Sequence, residues 1–267
     1  GITDPQDIPM TVKIANPLGE DQSIMRTTLI PSILEVLSRN RNRGLQECRI
    51  FEIGTAFLPK ALPLKELPNE IRTLTIGEYG PGMDYYDLKG KIETLLKFLG
   101  LLAEAEFMPH VHPAFHPGRT ALLKIGNVEA GVMGEIHPRI AQNYQLEERV
   151  IVAELDFDKL LDLAKEQRRY KPLPKYPAVT RDLALVVQRD ILAGQVEKCI
   201  RKLGGELLEE VELFDVYVGS QIPEGYKSLA YTLTYRAADR TLTDEEVNLL
   251  HGSIVKGLEE ALGAKLR

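Results

Sequence analysis

Hydrophobic positions along this chain switch between two periods, and the switches mark out its elements. Ile30, Ile33, Leu34 and Leu37 in "TTLIPSILEVLSRNRNRG" recur at i, i+3, i+4, i+7 and predict a helix that tolerates Pro31 in its first turn. "DLKGKIETLLKFLG" repeats that spacing through Leu88, Ile92, Leu95, Leu96 and Leu99. Strand-like runs surround them: "TVKIANPL", "CRIFEIGTAFL", "TALLKIGNVEAGVMGEI" with a turn at Gly126-Asn127, and "VIVAELD". Strands outnumber helices here and arrive in runs, so an antiparallel-rich α+β sheet is expected.

The helix-like "DFDKLLDLAKEQ" runs into "EQRRYKPLPKYPAVTRD", where Pro172, Pro174 and Pro177 favour an extended connector. A domain boundary is expected there, giving residues 1–174 and 175–267. Beyond it the pattern is regular. "DLALVV" is β-like, "ILAGQVEKCIRKLGG" is helical and closes on Gly204-Gly205, and "LLEEVELFDVYVG" and "SLAYTLTYRA" are strand runs. "TLTDEEVNLLHGSIVKGLEEALG" opens with Thr243 and Glu246 at capping-box spacing, and "AKLR" offers a last short strand. The order β-α-β-β-α-β is that of the ferredoxin-like split unit. Leu229, Tyr231, Leu233 and Tyr235 would face its two helices, leaving Ser228, Ala230, Thr232, Thr234 and Arg236 on an open sheet face available to a partner.

A length of 267 residues with 44% hydrophobic positions supports one large or two ordinary cores. Cys48 and Cys199 lie far apart without neighbours at metal-ligand spacing, which argues against a disulfide framework and fits a reducing, cytoplasmic setting. No apolar run approaches the roughly 20 residues that span a bilayer, and "GITDPQDIPM" lacks a signal-peptide layout, so no membrane role is expected. The net charge is -6, with 21 basic and 24 acidic residues up to Pro174 and 12 and 15 after it. Neither half coats nucleic acid by bulk charge, so any RNA contact must come from a local patch. Neither a GxxxxGK[ST] nor a GxGxxG phosphate loop occurs.

Four clusters carry candidate chemistry. "HVHPAFHPGR" holds His110, His112 and His116, with His137 downstream in "GEIHPRI". His110 and His112 would share a strand face as metal ligands do, but two of the three imidazoles precede proline and no carboxylate or thiol lies beside them. A structural turn and a ligand contact are the other readings. Arg39, Arg41 and Arg43 suit a helix C-terminus, and equally an acidic or RNA partner; Asp244, Glu245 and Glu246 suit the first turn of a helix. Asp215 and Tyr217 in "LFDVYVG", with "GYKS" following, combine aromatic and basic groups as single-stranded RNA sites do. Ordinary packing explains that spacing as well.

"YPAVTRDLALVV", "LFDVYVGSQIPEGYKSLAYTLTYRAADRTLTDEEV" and the final "LR" resemble the ferredoxin-fold anticodon-binding domain of the bacterial phenylalanine–tRNA ligase beta subunit family. "NPLGEDQSIMRTTLIPSIL", "RIFEIGTAFLP", "YYDLKG", "HPGR" and "GVMGEIHP" resemble, in order, the class II synthetase-like module that precedes it. The resemblance spans nearly the whole chain, with no counterpart of the family's further N-terminal domains, so a fragment without editing activity is expected. It implies a catalytically silent module, because the Arg-x-Glu of active class II enzymes is replaced by Arg49-Ile50-Phe51-Glu52, whose ends point to opposite strand faces.

The resemblance also implies partners. An alpha subunit would supply the active site with ATP and Mg in a tetramer of two alpha and two beta chains, no cofactor being expected in this chain. The helix near Arg26 to Asn40 resembles the class II dimer-interface element, so Arg26, Ile30, Ile33, Leu37 and Arg41 become candidate interface residues beside a core reading. Arg181, Tyr217, Lys227, Ser228, Arg236 and Arg240 become candidates for tRNA(Phe) anticodon contact. "HPG" at 116–118 looks family-typical, whereas His110 and His112 do not, which favours a rigid turn over a metal. A self-sufficient class II adenylating enzyme and a detached RNA or protein interaction module are the alternatives.

Overall fold

The computed structural model describes residues 10–165 and 173–267, and the chain divides into two compact units, Gly1–Arg169 and Tyr170–Arg267. The first holds helices α1 (Ile30–Asn42), α2 (Tyr85–Phe98), α3 (Pro138–Asn143) and α4 (Phe157–Leu163). Its six strands are β1 (Cys48–Leu58), β2 (Asn69–Tyr79), β3 (Ala105–Pro109), β4 (Phe115–Ile125), β5 (Val128–Ile136) and β6 (Val150–Asp156). They form one sheet in the order β1-β2-β6-β5-β4-β3, antiparallel throughout.

The central strand β6 reads as a nearly unbroken apolar run because both of its faces are covered. Val150 and Val152 pack with Ile30, Ile33, Leu34 and Leu37 of α1, while Ile151, Ala153 and Leu155 pack with Leu88, Ile92 and Leu96 of α2. The β4–β5 hairpin turns at Gly126, whose φ of +58° suits glycine. "TVKIANPL" does not become a strand: it contributes a single bridge, Lys13 to Ile24. Strand β2 escapes periodicity because it buries polar residues, Thr73, Thr75 and Glu78, among its apolar ones.

Leu29, at the N-cap of α1, has no side-chain oxygen for the free N–H groups of the first turn. Glu154 of β6 supplies one instead, accepting from the Leu29 N–H at 2.7 Å and the Thr28 hydroxyl at 2.7 Å. Burial pushes the Glu154 carboxyl above its ordinary range, and the bonds from Thr28 and Leu29 oppose that shift. This clamp seats α1 on its own sheet and corrects the interface reading. Ile30, Ile33 and Leu37 are 4%, 2% and 0% exposed, facing Gly77, where an added Cβ would lie 3.0 Å from Ile33 and from Leu37. That stripe is core and offers nothing to a partner. Arg26 is engaged by Glu52 at 2.9 Å and the Thr55 carbonyl at 2.9 Å, and Arg41 is paired with Glu148.

The second unit holds β7 (Val179–Gln188), α5 (Ala193–Gly204), β8 (Leu208–Tyr217), β9 (Tyr226–Tyr235), α6 (Asp244–Leu262) and β10 (Lys265–Leu266), with sheet order β10-β7-β9-β8. Both helices cover one face, where Val196, Ile200, Val247, Ile254 and Leu258 meet Leu183, Leu185, Leu229, Tyr231, Leu233 and Tyr235. The buried tyrosines keep partners for their hydroxyls, as burial of a polar group requires. Tyr231 donates to the Ala193 carbonyl at 2.9 Å, and Tyr235 is bonded to His251 Nδ1 at 3.1 Å. Helix α6 opens on the expected capping box: the Glu246 N–H donates to Thr243 Oγ1 at 3.3 Å, and the Thr243 N–H to Glu246 Oε2 at 3.0 Å.

Candidate nucleic-acid interface

With two helices on one side, the other face of the β10-β7-β9-β8 sheet is left open. Pairing register assigns its residues in rows across β7, β9 and β8. Thr180, Thr234 and Glu210 form one row, then Asp182, Thr232 and Glu212, then Ala184, Ala230 and Asp215, then Val186, Ser228 and Tyr217. Strand β8 carries a register shift between Leu213 and Asp215, with Phe214 as the extra residue. Without that bulge Asp215 and Tyr217 would fall on the helix side, since one residue of slip exchanges the faces of a strand.

The face is small and flat at the Ala184–Ala230 row and acidic along β8 and β7, where Asp182, Glu210, Glu212 and Asp215 are exposed. Asp182 accepts from the Thr232 hydroxyl at 2.8 Å. Tyr217 stands at one corner, its hydroxyl end so close to Gly219 that an added Cβ there would lie 2.3 Å from the oxygen. The Arg267 guanidinium carbon lies over the Tyr217 ring, 5.3 Å from its centre.

Of the six residues nominated from the sequence, the fold brings only Tyr217 and Ser228 together, as cross-strand neighbours. Arg181 pairs across β9 with Leu233 and so points to the helix side, where it meets Asp244 at 2.5 Å and Asn248 at 3.3 Å. Lys227 also points there, paired with Val187 and donating to the Arg189 carbonyl at 3.0 Å, and burial pushes its pKa down. Arg240 is held at the start of α6 by Glu246 at 2.7 Å and Asp239 at 3.3 Å. Arg236 ends β9 clamped by Glu209 at 2.7 Å and the Tyr176 carbonyl at 2.5 Å. Each of these four cations meets the domain's own carboxylates or carbonyls.

In the first unit a shallow cleft of about 310 Å³ is lined by Thr73, His110, His112, Glu154, Asp156 and Lys159 among others, with no arginine in its wall among the described residues. Its lysine already contacts the Glu129 carbonyl at 3.1 Å and Asp156 at 3.1 Å. Arg49 and Glu52 do project from opposite faces of β1, toward Glu47 at 3.6 Å and Arg26 at 2.9 Å. Among the described residues, cations of the kind that stabilise a triphosphate are therefore not gathered at this cleft.

The histidines have local duties. His112 Nδ1 accepts from the Ala114 N–H at 3.2 Å, its ring tilts on Phe115 at 5.1 Å, and burial, aided by His110, pushes its pKa down. His137 caps α3 by accepting from the Arg139 N–H at 3.2 Å. His116 has a buried Nδ1 that meets no partner among the described residues. Among the described residues no three His, Cys, Asp or Glu side chains converge as a metal site.

Residues 4–157 match the family described as "Phenylalanyl tRNA synthetase beta chain CLM domain". The chain belongs to the phenylalanyl-tRNA synthetase beta chain family. Residues 174–267 match the ferredoxin-fold anticodon-binding domain, in line with the β-α-β-β-α-β order seen here. Among similar proteins, the phenylalanine–tRNA ligase beta subunit of Clostridium tetani is 49% identical over 98% of this chain and 33% of its own length. That of Symbiobacterium thermophilum is 44% identical over 98% of this chain and 30% of its own length. The chain thus spans about a third of the length of the beta subunits it matches. A solved pyrrolysyl tRNA synthetase from Desulfitobacterium hafniense superposes with a TM-score of 0.44 at 20% identity, over 55% of this chain and 51% of that one, too partial a likeness to argue from.

Ala230 lies on the open face as its alternation implies, whereas the carboxylates at 182, 210 and 212, Ala184 and Arg267 are not among the sequence candidates. Period-two alternation in β7 and β9 points to Asp182, Ala184 and Ala230. The bulge in β8 hides which of its residues share that face, and nothing local in the sequence brings residue 267 to Tyr217.

Proposed function

We propose that this chain is the part of a phenylalanine–tRNA ligase beta subunit that serves ATP-dependent charging of tRNA(Phe) without itself performing the chemistry. Its second unit reads the anticodon, and its first is a silent scaffold for a catalytic alpha subunit, which holds ATP and Mg. A cytoplasmic assembly of two alpha and two beta chains accompanies this reading. The observation that carries it is the open face of the ferredoxin-like sheet. Because that face is acidic, it repels a phosphate backbone. It suits unstacked bases instead: carboxylates accept N–H donors from base edges, and Tyr217 offers a ring for stacking. A single-stranded loop presents bases in that form and a duplex does not.

For the alpha subunit, the buried stripe of α1 is replaced by the outer edge of the first sheet. Phe51 and Ile53 of edge strand β1 share one face and are 71% and 48% exposed. Apolar groups on a long edge strand are a liability unless a partner covers them.

The silent-scaffold reading is tested by phenylalanine-dependent ATP–pyrophosphate exchange. The folded chain alone is expected to give background exchange. Exchange at enzymatic rates would favour a self-sufficient adenylating enzyme.

A further inference from the structure

The open face is occupied in the free chain by one of its own side chains. Leu266 and Lys265 of β10 pair with Leu185 and Val186 of β7, and the next residue, Arg267, donates its N–H to the Ala184 carbonyl at 3.0 Å. That register puts the Arg267 side chain on the face of Ala184. Its guanidinium reaches Tyr217 of β8, and the rows between hold the small residues Ala184, Ala230 and Ser228. Its guanidinium carbon sits 5.3 Å from the centre of the Tyr217 ring, and its Nη2 donates to Gln221 Oε1, on the loop after β8, at 2.9 Å. The hydroxyl end of the same ring is backed by Gly219.

We propose that Arg267 is a removable lid on the stacking surface of the open face, so that an unpaired base reaches Tyr217 only by displacing this guanidinium. The inference rests on the anticodon reading given above and adds the residue that sets its affinity. A planar guanidinium over the face of an aromatic ring occupies the side of the ring on which a base would stack, so Arg267 stands in the way of the ligand. Opening the lid costs a cation–π contact of an exposed pair and one hydrogen bond to Gln221. The acidic surroundings favour a positive charge at this spot, which makes the lid closed in the absence of RNA.

The test is the affinity of a fluorescently labelled tRNA(Phe) anticodon stem-loop for the full chain and for Arg267→Ala, Tyr217→Ala and the double variant, with circular dichroism confirming that each is folded. Lys265→Ala removes one positive charge from the same strand and serves as the reference for bulk electrostatics. Arg267→Ala is expected to bind about 2- to 5-fold more tightly than Lys265→Ala, the factor corresponding to one exposed cation–π contact. In the Tyr217→Ala background the same substitution is expected to change nothing beyond the charge effect. Weaker or equal binding by Arg267→Ala, or a gain that survives without Tyr217, would overturn the lid while leaving the open face as the RNA site. A wild-type chain that binds no stem-loop would overturn the anticodon reading, and the lid with it.

Discussion

Tyr217→Ala is expected to weaken binding of a tRNA(Phe) anticodon stem-loop by about 1–3 kcal/mol, roughly 5- to 150-fold, the range for losing one base–aromatic stack. The ring stands at the rim of the open face, outside the core that the two helices close, so thermal unfolding should move little. Arg181→Ala and Lys227→Ala provide the contrast. Both cations are held on the helix side, and affinity should stay within about twofold of wild type for each, as expected for residues that touch no phosphate. Fluorescence anisotropy at fixed ionic strength checks all three. The reverse order, with the cations mattering and the ring not, would place RNA on another surface.

The largest stability effect is expected at Lys91. Its ammonium meets Glu78 Oε2 at 2.6 Å, and the Glu78 side chain is 0% exposed, inside the first sheet between β1 and β6. Removing one member of a buried pair strands the other charge, a loss of about 3–5 kcal/mol. Because Lys91 is itself 43% exposed, water can reach toward the vacated site, and the lower end of that range, about 3 kcal/mol, is expected for Lys91→Met. Urea unfolding measures it. The double variant Glu78→Gln/Lys91→Met should recover most of the loss, since the penalty belongs to the stranded carboxylate. A loss below about 1 kcal/mol in the single variant would mean the pair behaves like an exposed one.

Much of the fold was legible because burial dictates periodicity. Strands β1 and β6 coincide with "CRIFEIGTAFL" and "VIVAELD", and α1 and α2 follow the helical spacing of their leucines and isoleucines. Periodicity failed where polar groups are buried for specific partners: β2 was missed because Glu78 is matched by Lys91 of α2 rather than by water. It also left the fate of an apolar stripe open, since Ile30, Ile33 and Leu37 look the same whether they face a partner chain or, as they do, their own sheet.

The site was less legible than the fold. Arginines and lysines in the matching motifs were natural candidates for RNA contact, yet a motif does not say which strand face a side chain takes or which carboxylate already holds it. Tyr217 pairs with Ser228, and Asp215 shares their face, only through a one-residue bulge in β8. Arg267 reaches Tyr217 across two intervening strands, a relation set by sheet order.

The central claim, that the acidic open face reads unpaired bases, is tested most directly by comparing two stem-loops that differ only in their three anticodon bases. The chain is expected to bind the tRNA(Phe) loop at least about tenfold more tightly than the altered one, because the preference resides in base edges and stacking. Its salt dependence should be shallow, with few phosphates neutralised. Equal affinity for both loops, with a steep loss on adding salt, would contradict the account and return the search to the basic groups of the chain.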